Sequence, residues 1–177
     1  MKNLSRRKFM SVAPVAAAAG LTLANPSMLS AFEVDHEALP ALPAGIQLFT
    51  AETVQEDIRA LEAKPGSTNL VDGKTLPFVV LLQVEKATSA KEFEWHEGRD
   101  HVFHVLDGST LYELGGTPTG GHSKGPGEWL APSSEGATAL ALKKGDMLVI
   151  PRGTPHRRRT AESVTLLLVS PMGTAKA

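Results

Sequence analysis

Two short segments of the chain hold the residues best suited to chemistry. The first contains Glu94, His96 and His101, and the second places His156 directly after a Pro-Arg-Gly-Thr-Pro turn. Glu94 and His96 are two residues apart, so on a strand they would share a face, and His101 would begin the returning strand. If a later strand starting near His156 closes against this pair, three imidazoles and one carboxylate converge. We expect such a set to bind one divalent transition metal, namely Fe, Mn, Ni, Cu or Zn.

Glu94 is open to two other interpretations. It could be a solvated strand carboxylate in line with Glu92 on the same face. If it is not a ligand, it could serve as a general base, because the pKa of a buried carboxylate near a cation can lie anywhere from about 2 to about 7. Glu94 is therefore both a candidate fourth ligand and a candidate catalytic residue.

Three consecutive arginines follow His156. On a strand, Arg158 would share the face of His156, whereas Arg157 and Arg159 would point the other way. Near a metal, the Arg158 guanidinium would favour an anionic substrate through bidentate pairing. The alternative is a charge on an edge strand that opposes aggregation. Arg158 is our second candidate catalytic residue.

The residues after His101 predict how its strand is oriented. Phe103 and Val105 would share its face and form the apolar lining of a cavity. His104 would point away from the site, which predicts a surface or subunit-contact residue.

A long segment rich in glycine, proline and serine, residues 115–136, predicts a loop. A loop of this length inside a compact domain is usually functional or mobile. Its His122 could be a solvated side chain or a proton donor carried by a lid. Trp95 and Trp129 could line or cover the mouth of a pocket.

Composition excludes several classes of function. The chain has 177 residues, which fits one domain, and no cysteine, which excludes disulfides, thiolate metal sites and cysteine nucleophiles. A formal net charge of −1 argues against nucleic-acid binding, and three arginines in a row are too small a basic patch to change that.

The first thirty residues have the pattern of an export signal. Residues 5–10 read Ser-Arg-Arg-Lys-Phe-Met, and a weakly apolar run over 12–24 follows, too short to cross about 30 Å of hydrocarbon. The pattern resembles a twin-arginine signal, which implies the twin-arginine export machinery as a partner and a periplasmic or otherwise exported location. An ordinary secretory signal or an uncleaved anchor is the alternative. Cleavage could follow Ala24 or Ala31.

The rest of the chain predicts one helix followed by strands. Residues 53–56, Thr-Val-Gln-Glu, form a capping-box pattern, after which Val54, Ile58 and Leu61 share a helical face until Lys-Pro-Gly at 64–66 stops the helix. Short runs cut by glycine and proline then indicate a β-sandwich or barrel. The predicted strands are 78–84, 91–96, 101–107, 110–114, 137–142, 146–150, 154–160 and 164–169.

The two chemical segments together resemble the paired motifs of the cupin superfamily. The second motif reads Gly, five residues, Pro-x-Gly, two residues, His, three residues, Asn, and the chain matches it from Gly145 except that Thr160 replaces Asn. The first motif reads His-x-His, three or four residues, Glu, six residues, Gly. The chain matches its spacing up to Gly108, but Glu94 and His101 have exchanged places.

The resemblance covers residues 75–171 and implies an all-β fold, a cupin-type β-barrel or jelly roll, with one short N-terminal helix. The predicted organisation is a signal peptide at 1–31, an arm and short helix at 32–74, the barrel, and a tail at 172–177. Single-domain cupins commonly dimerise, so we also expect a homodimer.

The functional hypothesis is an exported metalloprotein with His96, His101 and His156, and Glu94 as a fourth, around one metal. Family precedent implies a dioxygenase, decarboxylase, isomerase or lyase reaction on an anionic or carboxylate-bearing small molecule. The alternative is a non-catalytic periplasmic protein that binds a metal or a small ligand.

Overall fold

The computed structural model describes residues 41–74, 76–88 and 91–173. The predicted signal peptide, residues 32–40 of the predicted arm and residues 174–177 of the predicted tail lie outside these ranges. From residue 44 onward, the described residues belong to one compact unit. In this part of the chain, no helix has the length and apolar character needed to cross a membrane.

The helix α1 (Ala51–Ala63) begins three residues earlier than the capping-box pattern predicted. Thr50, not Thr53, is its N-cap, because the Thr50 side-chain oxygen accepts the backbone N–H of Thr53 at 3.3 Å. Thr50 and Thr53 are both of a residue type that can cap a helix, so the sequence alone did not decide which of them precedes the first helical residue. The predicted end is confirmed, since Lys64 adopts an extended conformation before Pro65.

The predicted buried face of α1 is confirmed. Ile58 and Leu61 pack with Leu82 and Val84 in a small apolar cluster, and Val54 packs against it. The helix therefore covers one face of the sheet.

The fold class is confirmed as all-β with one short N-terminal helix. The strands in the described ranges are β1 (Gly66–Val71), β2 (Phe78–Thr88), β3 (Phe93–His96), β4 (His101–Leu114), β5 (Thr117–Thr119), β6 (His122–Gly125), β7 (Glu128–Ala131), β8 (Ser133–Glu135), β9 (Thr138–Lys143), β10 (Met147–Ile150) and β11 (His156–Pro171). Nine of them form one sheet with the path β1-β2-β11-β3-β7-β6; β4 joins this path through β11, and β9 and β10 each pair with β4. All pairings are antiparallel.

Two long strands, β4 and β11, each replace two predicted shorter strands. The predicted breaks are irregularities within continuous strands: the register of β11 against β4 shifts between Arg159 and Val164. Gly108 of β4 faces this point with φ +75°, a backbone conformation that suits glycine. A bulge of this kind bends a strand without ending it. The main core of the barrel, which includes Val105, Tyr112 and Leu166, lies between these strands.

The prediction of one long loop over 115–136 was wrong. This segment contains four short strands: β5 pairs with β8, and β6 pairs with β7, which in turn pairs with β3. These strands lack the alternation of apolar and polar residues that marks a strand in sequence, because they form through pairing with a partner distant in the chain.

Gly108 gives a test of the bulge. A Cβ there would lie 2.2 Å from the carbonyl oxygen of Ser163, whereas a Cβ at Gly136, with φ +77°, would meet nothing within 4 Å. We expect Gly136→Ala to cost about 1 kcal/mol for its positive φ alone, and Gly108→Ala to cost about 3 kcal/mol or more through the added backbone clash. Urea unfolding of both variants measures this. Equal losses of stability would contradict the close contact.

Candidate metal centre

Three histidines from three strands meet inside the sheet. His96 ends β3, His101 begins β4 and His156 begins β11. Their ring centroids lie 4.8, 5.6 and 5.2 Å apart, and at 4–6% exposure all three residues are buried. One nitrogen from each ring can be chosen so that all three lie within 4.8 Å of one another. We call these three residues the histidine cluster.

Each ring of the cluster has one buried nitrogen without a hydrogen-bond partner: Nε2 of His96, Nδ1 of His101 and Nε2 of His156. A buried polar atom left unpaired costs about 1–3 kcal/mol. Imidazole nitrogens bind transition metals, and the three rings can each offer one nitrogen within 4.8 Å of the others, a donor set that a divalent cation would satisfy. The histidine cluster could therefore hold a metal, and the chemistry of its donors fits one.

Hydrogen bonds on the outer side of two rings orient the free nitrogens. His156 Nδ1 lies 2.8 Å from the backbone oxygen of Thr154, which can only accept, so Nδ1 carries the hydrogen. His96 Nδ1 lies 2.7 Å from a carboxylate oxygen of Glu128 and 3.0 Å from Arg99 Nη2, which can only donate, so these two contacts allow either tautomer of His96. In His156, Nε2 is left with its lone pair, the form that a metal ligand requires.

Glu128 was missed by the sequence analysis because it lies in the segment predicted as a loop. It sits on β7 directly opposite His96. Its Oε2 also accepts a hydrogen bond of 2.7 Å from Arg99, so the carboxylate is held from two sides. The sequence offered no signal for it, since Glu128 and His96 are 32 positions apart in a region without strand periodicity.

The environment favours the neutral imidazoles of His101 and His156. Burial, with smaller contributions from His156 and His96, lowers the pKa of His101 from 6.5 to about 3. Burial also lowers the pKa of His156. Neutral imidazole is the form that binds metals, so the site does not have to release protons from these two rings at neutral pH.

A salt bridge joins the two turns that precede His101 and His156. Asp100 accepts hydrogen bonds from the backbone N–H and the guanidinium of Arg152, at 2.8 and 2.7 Å. These hydrogen bonds lower the pKa of Asp100 to about 2. Because Arg152 lies in the Pro-Arg-Gly turn, the pair fixes the start of β11 against the start of β4.

Glu94 lies beside the cluster but is not part of it. Its Oε1 is 3.8 Å from His156 Nε2, and its side chain is 46% exposed. Its role as a fourth ligand or a general base stays a prediction. It borders the larger of two cavities that reach the cluster.

The larger cavity has a volume of about 420 Å³, within the range of small-molecule sites. Its walls combine cluster residues with apolar and charged side chains. The lining residues are Gln83, Lys91, Glu92, Glu94, His101, Phe103, Tyr112, Lys124, Leu130, His156, Arg157, Arg158 and Leu168. A smaller cavity of about 290 Å³ reaches His96 and His101 from the side of Arg99.

Arg158 lines the larger cavity on the face of His156, as its position on the strand predicted. It is buried, and its Nη2 donates to Glu85 at 2.8 Å while its Nη1 donates to the Tyr112 hydroxyl at 3.1 Å. The alternative of a solvent-facing edge-strand charge does not fit, because the Arg158 side chain is buried and paired with Glu85. Arg157 and Arg159 instead bond Glu113.

Glu85 is a second residue that the sequence analysis missed. Burial alone would raise its pKa, but hydrogen bonds and charge from Arg158, with hydrogen bonds from Lys91 and Thr160, outweigh burial and hold the pKa at about 2. In the sequence, the one sign of Glu85 was an acidic residue at the end of an apolar run. Its partner Arg158 could not be predicted, because that contact depends on the pairing of β2 with β11.

Predictions for the remaining residues have mixed outcomes. Phe103 lines the larger cavity, whereas Val105 lies deeper in the core. His104 is half-buried on the alternate face of β4. His122 is an exposed residue of β6, so the prediction that it lies in a long loop was wrong.

Neither tryptophan lines the larger or the smaller cavity. Trp95 alternates with Glu94 and His96 on β3 and therefore points to the opposite face. It stacks on Trp129 of β7, with ring centroids 5.9 Å apart and planes inclined by 6°.

Solved structures share this fold. A protein with a double-stranded β-helix domain from Klebsiella pneumoniae aligns at a TM-score of 0.53 and 17% identity, over 78% of this chain and 95% of that chain. A cupin-like protein from Thermotoga maritima aligns at 0.41 and 19% identity, over 59% of this chain and 65% of that one. A cupin-2 domain protein from Rhodospirillum rubrum aligns at 0.44 and 16% identity, over 62% of this chain and 61% of that one.

The alignment with the Klebsiella protein supports a double-stranded β-helix fold for this chain, in agreement with the jelly roll that the sequence motifs imply. The alignments span less than two thirds of the Thermotoga and Rhodospirillum chains. No protein-family model matches the sequence, and no curated protein matches it.

Glu128 gives a test of how His96 is oriented. We expect Glu128→Ala to weaken zinc binding about 10–100-fold, because the loss of such an outer partner frees the ring and lowers its basicity. Competition with a chromogenic chelator measures the affinity. Glu97→Ala is the matched control: Glu97 bonds Trp129 rather than a histidine, and its removal should change the affinity less than about twofold. Equal effects would contradict the proposed orientation.

Tyr112 gives a pH-dependent test of the buried cavity wall. Burial raises its pKa from 10.0 to about 12, although Arg158 opposes the shift. As pH rises past 10 the unfolded chain loses this proton first, so the protein loses stability between pH 10 and 12. Tyr112 is the chain's one tyrosine, and tyrosinate absorbance therefore reports it alone. A midpoint near 10 in the folded protein would contradict its burial.

Proposed function

We propose that this protein is an exported metalloenzyme that acts on a small organic anion at one divalent transition metal held by His96, His101 and His156. The observation that carries the proposal is that three buried histidines, each with one ring nitrogen without a hydrogen-bond partner, can offer three nitrogens within 4.8 Å of one another. A purely structural core has no reason to keep three unpaired donors of this kind together.

A metal held there would supply Lewis acidity toward an oxygen of the substrate. The protein's own residues would do the rest. The larger cavity admits the substrate next to His101 and His156, and Phe103 supplies an apolar surface. Glu94, half-exposed and 3.8 Å from His156, is placed to exchange a proton between the substrate and solvent.

The charge at the Arg158 end of the cavity supports an anionic substrate. Lys91 and Arg158, two of the four basic residues in the lining, share the one carboxylate of Glu85, whereas Arg157 is paired with Glu113. Reaction types consistent with such a site are those of a dioxygenase, decarboxylase, isomerase or lyase.

The proposed location rests on the sequence of residues 1–31, which resembles a twin-arginine signal. Export after folding would let the metal be loaded before the protein reaches a compartment where a tighter-binding competitor such as copper is present. A homodimer stays part of the proposal.

One observation favours the second candidate, a non-catalytic binder. The carboxylate of Glu94 is close enough to the cluster that a small movement could add a fourth ligand. A metal with four protein ligands and no exchangeable water would suit storage or sequestration rather than catalysis.

Metal content tests the proposal. We expect about one metal ion per chain in the wild type and in the control His104→Ala, whose ring lies on the alternate face of β4. His156→Ala should lose more than about tenfold in affinity, since even an outer-sphere partner contributes that much. Elemental analysis of the purified proteins measures this, and equal metal in all three would rule out the site.

Turnover separates the two candidates. Metal-loaded protein is assayed with panels of carboxylic acids and phenols for oxygen uptake and for product formation. Activity that follows metal content across the variants supports an enzyme. Bound metal with neither turnover nor exchangeable water supports the binder.

A further inference from the structure

The wall of the larger cavity contains a hydrogen-bond donor that the proposed chemistry has not used. Tyr112 is 1% exposed, and its hydroxyl oxygen accepts a hydrogen bond from Arg158 Nη1 at 3.1 Å. A guanidinium can only donate, so the hydroxyl hydrogen must point elsewhere. Among the described residues, no hydrogen bond gives that hydrogen an acceptor. Because Tyr112 lines the cavity, a ligand there could accept it.

The nearby carboxylate cannot easily take this hydrogen. Glu85 already accepts from Arg158 at 2.8 Å, from Thr160 at 2.7 Å and from Lys91 at 2.5 Å. Two cations thus share one negative charge, which leaves a net positive charge behind the Tyr112 hydroxyl. A hydroxyl backed by a cation is a strong donor toward an anionic oxygen.

This donor lies at a defined distance from the histidine cluster. Tyr112 is the direct cross-strand partner of Arg158, and His156 lies two residues before Arg158 on the same strand. Two residues on a strand span about 7 Å. The Phe103 ring lies between the histidine cluster and Tyr112, with its centroid 5.3 Å from the ring centroid of His101 and 5.3 Å from that of Tyr112.

We propose that Tyr112, backed by Arg158, is a subsite for a carboxylate oxygen of a ligand whose second oxygen function lies at the histidine cluster. The inference rests on the proposed function, and it narrows the substrate to small organic acids with two oxygen functions and a short carbon chain, the chain lying against Phe103. Glu94, the acidic residue beside His156, lies at the cluster end of the cavity, and its charge also reaches Tyr112, whose pKa it raises.

Calorimetric titration of the zinc-loaded full chain tests the subsite. The probes are malonate, succinate and glutarate, with butyrate as the ligand that has one carboxylate. The wild type should bind at least one dicarboxylate more tightly than butyrate. In Tyr112→Phe this preference should fall about tenfold or more, because a hydrogen bond to a charged group is lost.

Thr165→Val is the matched control, since Thr165 is a buried hydroxyl of β11 that lies outside the larger cavity. Its selectivity should equal that of the wild type. A second readout needs no variant: ligand binding should perturb the near-ultraviolet absorbance of the one tyrosine. This readout holds even if Tyr112→Phe folds poorly.

The outcomes separate the two proposals. If zinc binds but Tyr112→Phe keeps the wild-type selectivity, or if no dicarboxylate binds, the subsite is wrong and the metal site stands. If a dicarboxylate binds without perturbing the tyrosine absorbance, the subsite is also wrong. If the wild type takes up no zinc, the proposed function fails, and the subsite fails with it.

Discussion

The structure depends on the burial of three histidines that each have one ring nitrogen without a hydrogen-bond partner. Each such atom costs about 1–3 kcal/mol in the absence of a ligand, so the rest of the fold must hold the rings in place against that cost. Thr154 and Glu128 do so from outside: the backbone oxygen of Thr154 accepts the hydrogen of His156 Nδ1, and the Glu128 carboxylate contacts His96 Nδ1 at 2.7 Å. A cation that satisfies all three nitrogens would stabilise the folded protein through its binding energy.

Long-range pairing brings these rings together. The two longest strands, β4 and β11, begin with His101 and His156, and their pairing continues past a bulge at Gly108. The Asp100–Arg152 salt bridge then locks the two preceding turns to each other. Because each histidine stands at the start or end of a strand, sheet register rather than loop conformation sets the geometry of the site.

The buried group formed by Glu85, Arg158 and Tyr112 gives the cavity its second chemical feature. Buried ion pairs contribute little net stability, because desolvation offsets their attraction. Here the pair, together with Lys91 on the same carboxylate, instead places a net positive charge and a hydroxyl donor about two strand residues from the histidines. A metal end and an anion end in one cavity of about 420 Å³ would select ligands by the spacing of their oxygens.

The amino-acid sequence by itself determined the fold class and identified the three histidines of the cluster. Strand alternation and the spacing of two motifs are local properties, so they can be recognised without knowing which strands pair. The sequence also placed Arg158 on the face of His156 for the same reason. Only the tertiary structure decided the outer partners, Glu128 and Glu85, and the strands within 115–136. These depend on which distant strands pair and in what register, and a glycine-rich segment without periodicity leaves both undetermined until the sheet has formed.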